Sequence, residues 1–244
     1  MKHRLVTATL AALVLVNGPP AAAQDFSSIG GQYVDFGASM MAVGQMNNLL
    51  GSTVQGGGRP ASQPAARHPV SADTRYRASP AVSARVRGQF ADFVARTDPA
   101  NGERLRQVVQ KQDLLGAWEK HVSVDGLRRG DVADAMTAYW VQNWQIANAI
   151  PVAGKTQVQA VRGQAARALA ANPAFARLDD AGRQELAEVF MLNFVAQGSA
   201  FSDAAAKGDK ALSKRLSDAA VARFRQATNV DPRQLKLTPA GFAR

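Results

Sequence analysis

The sequence predicts an all-α fold: a compact multi-helix bundle that is preceded by a signal peptide, a short apolar helix and a disordered linker. Apolar residues recur at helical spacing along residues 79–230. Helix-capping residues stand before most of these apolar runs, and Gly or Pro follows several of them. Hydrophobic residues make up 46% of the 244-residue chain, which is enough apolar surface for a core.

Residues 1–23 have the three parts of a secretory signal peptide. Lys2 and Arg4 supply positive charge, residues 5–16 form an apolar run, and Ala21 to Ala23 supply small residues for cleavage. The alternative is a membrane anchor, but the run is too short to cross about 30 Å of hydrocarbon. We therefore expect export to the periplasm or outside the cell, with no transmembrane span in the mature chain.

Two segments separate the signal peptide from the helical domain. Residues 24–50 are apolar, and residues 33–50 have the pattern of one amphipathic helix, which either docks on the bundle or binds a surface or partner. Residues 51–78 are rich in Gly and Pro and lack apolar periodicity, so we expect a disordered linker. The helical domain is predicted to cover residues 79–244.

Start and stop signals divide this domain into seven helices. The residues that cap or open them are, in order, Ser79, Asp98, Asp113, Asp131, Thr156, Asp179 and Asp209. Gly126, Pro151 and Pro173 mark turns between helices. Gly182 and Gly198 are weak points in the longest run, since glycine costs about 1 kcal/mol relative to alanine. Strand alternation is confined to residues 235–237.

Composition removes several classes of chemistry. The chain has no cysteine, which excludes disulfides, thiol nucleophiles and cysteine-based zinc sites. His68 falls in the linker. His121 falls at a helix C-terminus, where a protonated histidine stabilises the helix through its dipole, so a structural role accounts for it. No two histidines share a metal-ligand spacing, and the sequence lacks a nucleophile elbow and a phosphate-binding glycine loop. We therefore predict neither a metal nor a cofactor.

The formal net charge of +10 restricts the partners. In an exported protein it favours an anionic envelope surface or an envelope protein, and it makes nucleic acid a poor candidate. The alternative is a solvated basic surface without a specific ligand. The sequence leaves the oligomeric state open.

Glutamates are the candidate catalytic residues. Glu119 stands beside Trp118, and an acid in an apolar pocket is suited to general acid catalysis. Glu185 and Glu188 are three residues apart and share a helix face. These residues support an alternative function as an envelope glycan hydrolase. Paired charges on solvated helix faces explain all of them without catalysis, so the sequence leans against an enzyme.

An aromatic stripe is the candidate binding surface. Its apolar residues repeat every four positions of the helix that follows Asp131: Val132, Met136, Trp140 and Trp144. The residues that would contact a sugar or a partner are Tyr139, Trp140, Asn143 and Trp144. The alternative is that the stripe lies in the core of the bundle, with the indole N–H groups bonded to neighbouring amides.

The same region resembles a known family. The segments that carry the resemblance are residues 126–128, 131–135, 139–148 and 157–169, with LKLTPAGF at residues 235–242. They resemble a domain-of-unknown-function family of small exported proteobacterial proteins, over roughly residues 80–242. The resemblance implies a fold and a compartment, and it implies no catalytic residue.

The function that these observations favour is a non-enzymatic binding or scaffolding module of the periplasm or cell envelope. The envelope hydrolase is one alternative. A secreted effector-associated protein is another, which the signal peptide permits.

Overall fold

The computed structural model describes residues 73–244, which fold into eight α-helices and one β-hairpin. The helices are α1 (Pro80–Thr97), α2 (Gly102–Lys111), α3 (Leu114–Val122), α4 (Val132–Asn148), α5 (Lys155–Ala170), α6 (Pro173–Ala176), α7 (Asp180–Ala206) and α8 (Lys210–Thr228). The strands are β1 (Lys236–Thr238) and β2 (Gly241–Ala243), and 3₁₀ turns cover Ser123–Asp125 and Pro232–Gln234. The predicted all-α bundle is confirmed.

Short acidic side chains begin four helices where the sequence predicts. The carboxylates of Asp113, Asp131, Asp179 and Asp209 each accept a hydrogen bond from a backbone N–H in the first turn of α3, α4, α7 and α8. Helix α5 begins one residue before its predicted start. The added short helix α6 fills the break that the sequence predicts around Pro173.

Helix α7 forms the centre of the bundle. Every residue from 186 to 200 is buried, and α7 contacts α1, α3, α4 and α8. The helix continues through Gly182 and Gly198 without a break. Packing on all sides outweighs the helix propensity that makes glycine unfavourable.

Two apolar clusters fill the interior of the described region. The larger one contains side chains from all eight helices and from the hairpin. The smaller one, here called the second cluster, joins α4, α7 and α8, and its buried members are Ile146, Ala147, Ala200, Ala204, Leu216, Ala220 and Val221. Most of these residues are alanine, so the three helices approach closely here.

The hairpin is held against α5 by one amide. Gln164 Nε2 donates to the Phe242 carbonyl oxygen at 2.9 Å, and Gln164 Oε1 accepts from the Phe242 N–H at 2.8 Å. Gly241 has a φ of 101°, and a β-carbon there would overlap the Gln164 side chain. The alternation at residues 235–237 predicts β1, whereas β2 has too few residues for an alternating pattern to be recognised.

The packed part of the chain begins before residue 79, the predicted start of the helical domain. The Thr74 carbonyl oxygen accepts from Val132 N at 2.9 Å, and Tyr76 N donates to the Gly130 carbonyl oxygen at 3.0 Å. The Thr74 hydroxyl donates to Asp131 Oδ1 at 2.6 Å. Because polar groups make these contacts, residues 73–78 show no apolar periodicity. The sequence therefore gives no sign that this last part of the predicted linker packs on the bundle.

The predicted signal peptide (1–23), the apolar segment (24–50) and most of the linker (51–72) lie outside the described residues. Within residues 73–244, no helix combines the length and the apolar character needed to cross a membrane.

Arg162 of α5 forms ion pairs with two buried carboxylates at the start of α4. Its Nη2 lies 2.8 Å from Asp131 Oδ2, and its Nε lies 2.6 Å from Asp134 Oδ1. Asp134 also accepts from the Arg128 N–H. Burial raises the pKa of Asp134, and the hydrogen bond from Arg162 opposes that rise. The arginine therefore allows two adjacent aspartates to stay charged inside the fold.

Replacing this arginine tests the arrangement. Arg162→Met should lower the free energy of unfolding by about 3 kcal/mol at neutral pH, because two buried carboxylates lose their countercharge. The deficit should shrink as the pH falls, since carboxyls whose folded pKa is raised bind protons more readily than the unfolded chain. Urea unfolding at about pH 7 and about pH 5 measures both effects.

The matched control is Arg167→Met, which changes an exposed arginine on the same helix. It should alter stability by less than about 0.5 kcal/mol. An equal loss in the two variants would contradict a specific role for Arg162.

Candidate functional site

A cavity of about 190 Å³ lies where the end of α3 meets the middle of α4 and the α4–α5 connection. Its wall is mostly apolar, with contributions from Val122, Leu127, Ala138, Val141, Val158 and Phe194. A cavity of about 150 Å³ lined by apolar groups is enough to bind benzene. The space therefore suits a single ring or a branched aliphatic group.

Two exposed valines extend the apolar wall to the surface. Val124 is 73% exposed and Val152 is 65% exposed, and both line the cavity. Gln145 fixes the connection that carries Val152, because its side chain donates to the Pro151 carbonyl oxygen at 3.2 Å. Its backbone carbonyl oxygen also accepts from Ile150 N at 3.0 Å. The rim is thus apolar, accessible and held in place.

Gln142 supplies hydrogen-bonding groups at the cavity wall. Its side chain is 5% exposed, and within residues 73–244 neither Nε2 nor Oε1 has a hydrogen-bond partner. A buried polar group without a partner costs about 1–3 kcal/mol. Both atoms are buried, so a ligand would reach them through a rotation of the side chain. It would need both a donor and an acceptor, as a carboxamide has.

The titratable groups at the cavity are shifted towards their neutral forms. Burial lowers the pKa of His121. Burial also raises the pKa of Asp125, while the nearby Lys155 opposes that rise. His121 is therefore better explained as a neutral wall residue than as the dipole-stabilised imidazolium that the sequence suggests.

A second, much smaller space of about 10 Å³ adjoins the first, and His121 and Phe194 line both. The ring centroids of these two residues are 5.4 Å apart. Trp118 lines the small space, and its Nε1 has no hydrogen-bond partner within the described residues. This volume is near the minimum for one water molecule, which would accept from the indole N–H.

These features together define the ligand chemistry of the cavity. Its wall is apolar, its titratable groups are shifted towards neutrality, and its unpaired hydrogen-bonding group is an amide. An anion would lose its hydration next to the Asp125 carboxyl, and a cation would find only that one carboxyl, which already lies near Lys155. The arrangement instead fits an uncharged apolar group with an adjacent donor and acceptor.

The predicted aromatic binding residues lie in the interior. Tyr139, Trp140, Asn143 and Trp144 are all buried. The Tyr139 and Phe190 ring centroids are 5.2 Å apart, and Trp144 Nε1 donates to the Leu235 carbonyl oxygen at 2.9 Å. Their burial favours the packing alternative, except that the bond from Trp144 goes to the backbone and not to a side-chain amide.

The candidate glutamates lie in three different environments, and none of them lines the cavity. Glu119 Oε1 accepts from Arg129 N at 3.4 Å. Glu185 forms an ion pair with Arg85 at 2.6 Å. The buried Glu188 accepts from the Ser83 hydroxyl at 2.6 Å and from Gln184 Nε2 at 2.8 Å. Glu185 and Glu188 therefore pair with α1 and with their own helix.

The described part of the chain contains no group of three His, Asp or Glu residues arranged to hold a metal ion. The sequence does not reveal the cavity. Val124 and Val152 are single apolar residues between helices, and a single residue forms no pattern that indicates a site. The periodicity of α4 does not show that Gln142 lines a space. Only the packing of α3 and the α4–α5 connection creates that space.

Comparison with known proteins gives a family and no activity. The family model DUF6683, a family of unknown function, matches residues 1–243. No curated protein and no solved structure matches the chain significantly. The predicted resemblance to a domain-of-unknown-function family is confirmed, whereas proteobacterial origin and export stay predictions. Because the match covers nearly the whole sequence, the chain belongs to the family of unknown function DUF6683.

Proposed function

We propose that the protein is an exported, non-enzymatic binding module of the cell envelope that holds an uncharged apolar group of its partner in the α3–α4–α5 cavity. The observation that carries the proposal is the unpartnered Gln142 amide at the wall of an open apolar cavity. The partner that fits best is an envelope protein, whose apolar side chain would act as the buried anchor.

The surface around the cavity supports a macromolecular partner. Val124 and Val152 remain largely exposed, and the exposed Ile150 lies on the same connection as Val152. Exposed apolar residues next to a pocket are typical of interaction surfaces. A side chain of the partner that enters the cavity would place the partner's backbone near this rim. Apolar contacts at the rim would then add to the binding energy of the anchor.

The compartment is the second part of the proposal, and it is supported by sequence. Residues 1–23 have the organisation of a signal peptide. Cleavage after residue 23 would remove Lys2 and Arg4 and leave a formal net charge of +8 on the mature chain. This charge would hold the protein near anionic envelope surfaces and so raise the local concentration of an envelope partner.

Benzamide is a suitable probe because it combines one ring with a carboxamide, and toluene supplies a ring alone. The full chain should bind both, with benzamide bound about tenfold more tightly, since only benzamide pairs with Gln142. Gln142→Leu should abolish this preference, and Ala138→Phe should block both probes by filling the cavity. Chemical-shift titration of the backbone amides gives the dissociation constants.

The matched controls are Gln110→Leu and Ala84→Phe, which change exposed residues on α2 and α1. Both should bind the probes as the parent does. Shifts that spread over the whole chain, or a benzamide preference that survives Gln142→Leu, would contradict the assigned site.

The pH dependence of stability tests the neutral state of His121. Because burial lowers its folded pKa below 6.5, the unfolded chain binds a proton first as the pH falls. The stabilising contribution is complete above pH 6.5 and is lost as the pH falls towards the folded pKa. His121→Gln should therefore lose less stability than the parent between about pH 7.5 and about pH 5.5 in urea unfolding. Equal losses would show that His121 does not titrate differently on folding.

Export makes a separate prediction. In a bacterial host the mature protein should begin at Gln24, as read by mass spectrometry of the intact chain. Leu13→Arg should interrupt the apolar run and leave the precursor uncleaved in the cytoplasm. An uncleaved parent protein in the cytoplasm would contradict the envelope assignment while leaving the cavity proposal untouched.

A further inference from the structure

A second site is indicated by Arg223 of α8. Its side chain is 2% exposed and ranks among the largest fully buried side chains. Within residues 73–244, Nε, Nη1 and Nη2 have no hydrogen-bond partner. No carboxylate of the described region forms an ion pair with it.

A buried guanidinium in this state has a high cost. Arginine stays protonated in proteins, so it cannot escape the cost of burial by losing its proton. A buried charge is normally paired, because desolvation is only offset by a countercharge and hydrogen bonds. The fold therefore creates a place where a negative group would be strongly favoured.

The directions of three helices show which residues lie near Arg223. Helices α4 and α7 run the same way, because Tyr139 contacts Phe190 while Ile146 packs with Ala200 further along both helices. Helix α8 runs the opposite way. Ser217 near its start donates to the Ala147 carbonyl oxygen at 3.0 Å, near the end of α4.

Two further polar residues lie at the level of Arg223. Asn143, Gln197 and Arg223 each stand three residues from a member of the second cluster on their own helix, namely Ile146, Ala200 and Ala220. Residues three apart share a helix face. Given the helix directions, all three lie about one turn from the second cluster, on the same side of it.

The amides at this level are also incompletely bonded. Neither Gln197 Nε2 nor Gln197 Oε1 has a partner in the described region, and Asn143 Oδ1 has none there either. All three residues are buried. One guanidinium and two amides with unused donors and acceptors thus lie at the same level of α4, α7 and α8.

We propose that Arg223 and Gln197 form a binding site for a carboxylate. One carboxylate balances the single positive charge, and its two oxygens match the planar fork of the guanidinium. Gln197 Nε2 supplies a further donor. A doubly charged phosphate would leave a net negative charge in the interior, which is unfavourable. The site is separate from the α3–α4–α5 cavity, since none of its residues lines that cavity.

Acetate is the probe for this site. Added sodium acetate should raise the melting temperature of the full chain by about 5–10 °C at saturation, because it binds the folded state alone. An equal addition of sodium chloride corrects for ionic strength, and sodium phosphate tests the choice of anion. Arg223→Met should melt higher than the parent without acetate and should not respond to it.

The matched control is Arg215→Met, which changes an exposed arginine on the same helix and should respond to acetate as the parent does. Gln197→Leu keeps the charge and should raise the apparent dissociation constant of acetate about tenfold. This variant provides the test if Arg223→Met fails to fold.

Three results would overturn the proposal. The first is an acetate response that is absent in the parent or unchanged in Arg223→Met and Gln197→Leu. The second is stabilisation by phosphate without stabilisation by acetate. The third concerns Asp25 and Asp35, the two acidic residues of segment 24–72. A loss of stability on Asp25→Asn or Asp35→Asn that disappears in the Arg223→Met background would place the countercharge in the chain itself.

Discussion

The burial of α7 on all sides is the constraint on which the rest of the structure depends. Residues 186–200 are enclosed by neighbouring elements, so every polar side chain of this stretch must find its partner inside the fold. Glu188 does so with Ser83 of α1 and with Gln184 one turn earlier. The same enclosure places Phe194 in the cavity wall and buries Gln197, whose amide has no partner within residues 73–244.

The fold treats its buried polar groups in two ways. Asp131 and Asp134 form ion pairs with Arg162, and the amide nitrogen and oxygen of Gln164 both bond to the backbone of the hairpin. Such groups join elements that are distant in sequence. By contrast, Gln142 and the residues around Arg223 have unused donors and acceptors within residues 73–244. Since buried groups such as Asp131 and Gln164 are paired, the unpaired ones mark where ligands would add most binding energy.

The sequence predicted the helices well because their signals are local. Asp113 and Asp209 cap helices through hydrogen bonds within one turn, and apolar spacing locates the buried faces. The sites depend on contacts between distant segments, which no local pattern records. The aromatic residues around Trp140 are the predicted binding residues, and they lie in the core. Gln142, two positions after Trp140, lines the cavity instead.

The central claim is that the α3–α4–α5 cavity binds an uncharged apolar group through the Gln142 amide. A crystal structure of the full chain soaked with benzamide tests it most directly. The account predicts the ring between Phe194 and Val141, with the carboxamide hydrogen-bonded to both Nε2 and Oε1 of Gln142. A cavity closed by its own side chains, or benzamide bound only elsewhere, would contradict it.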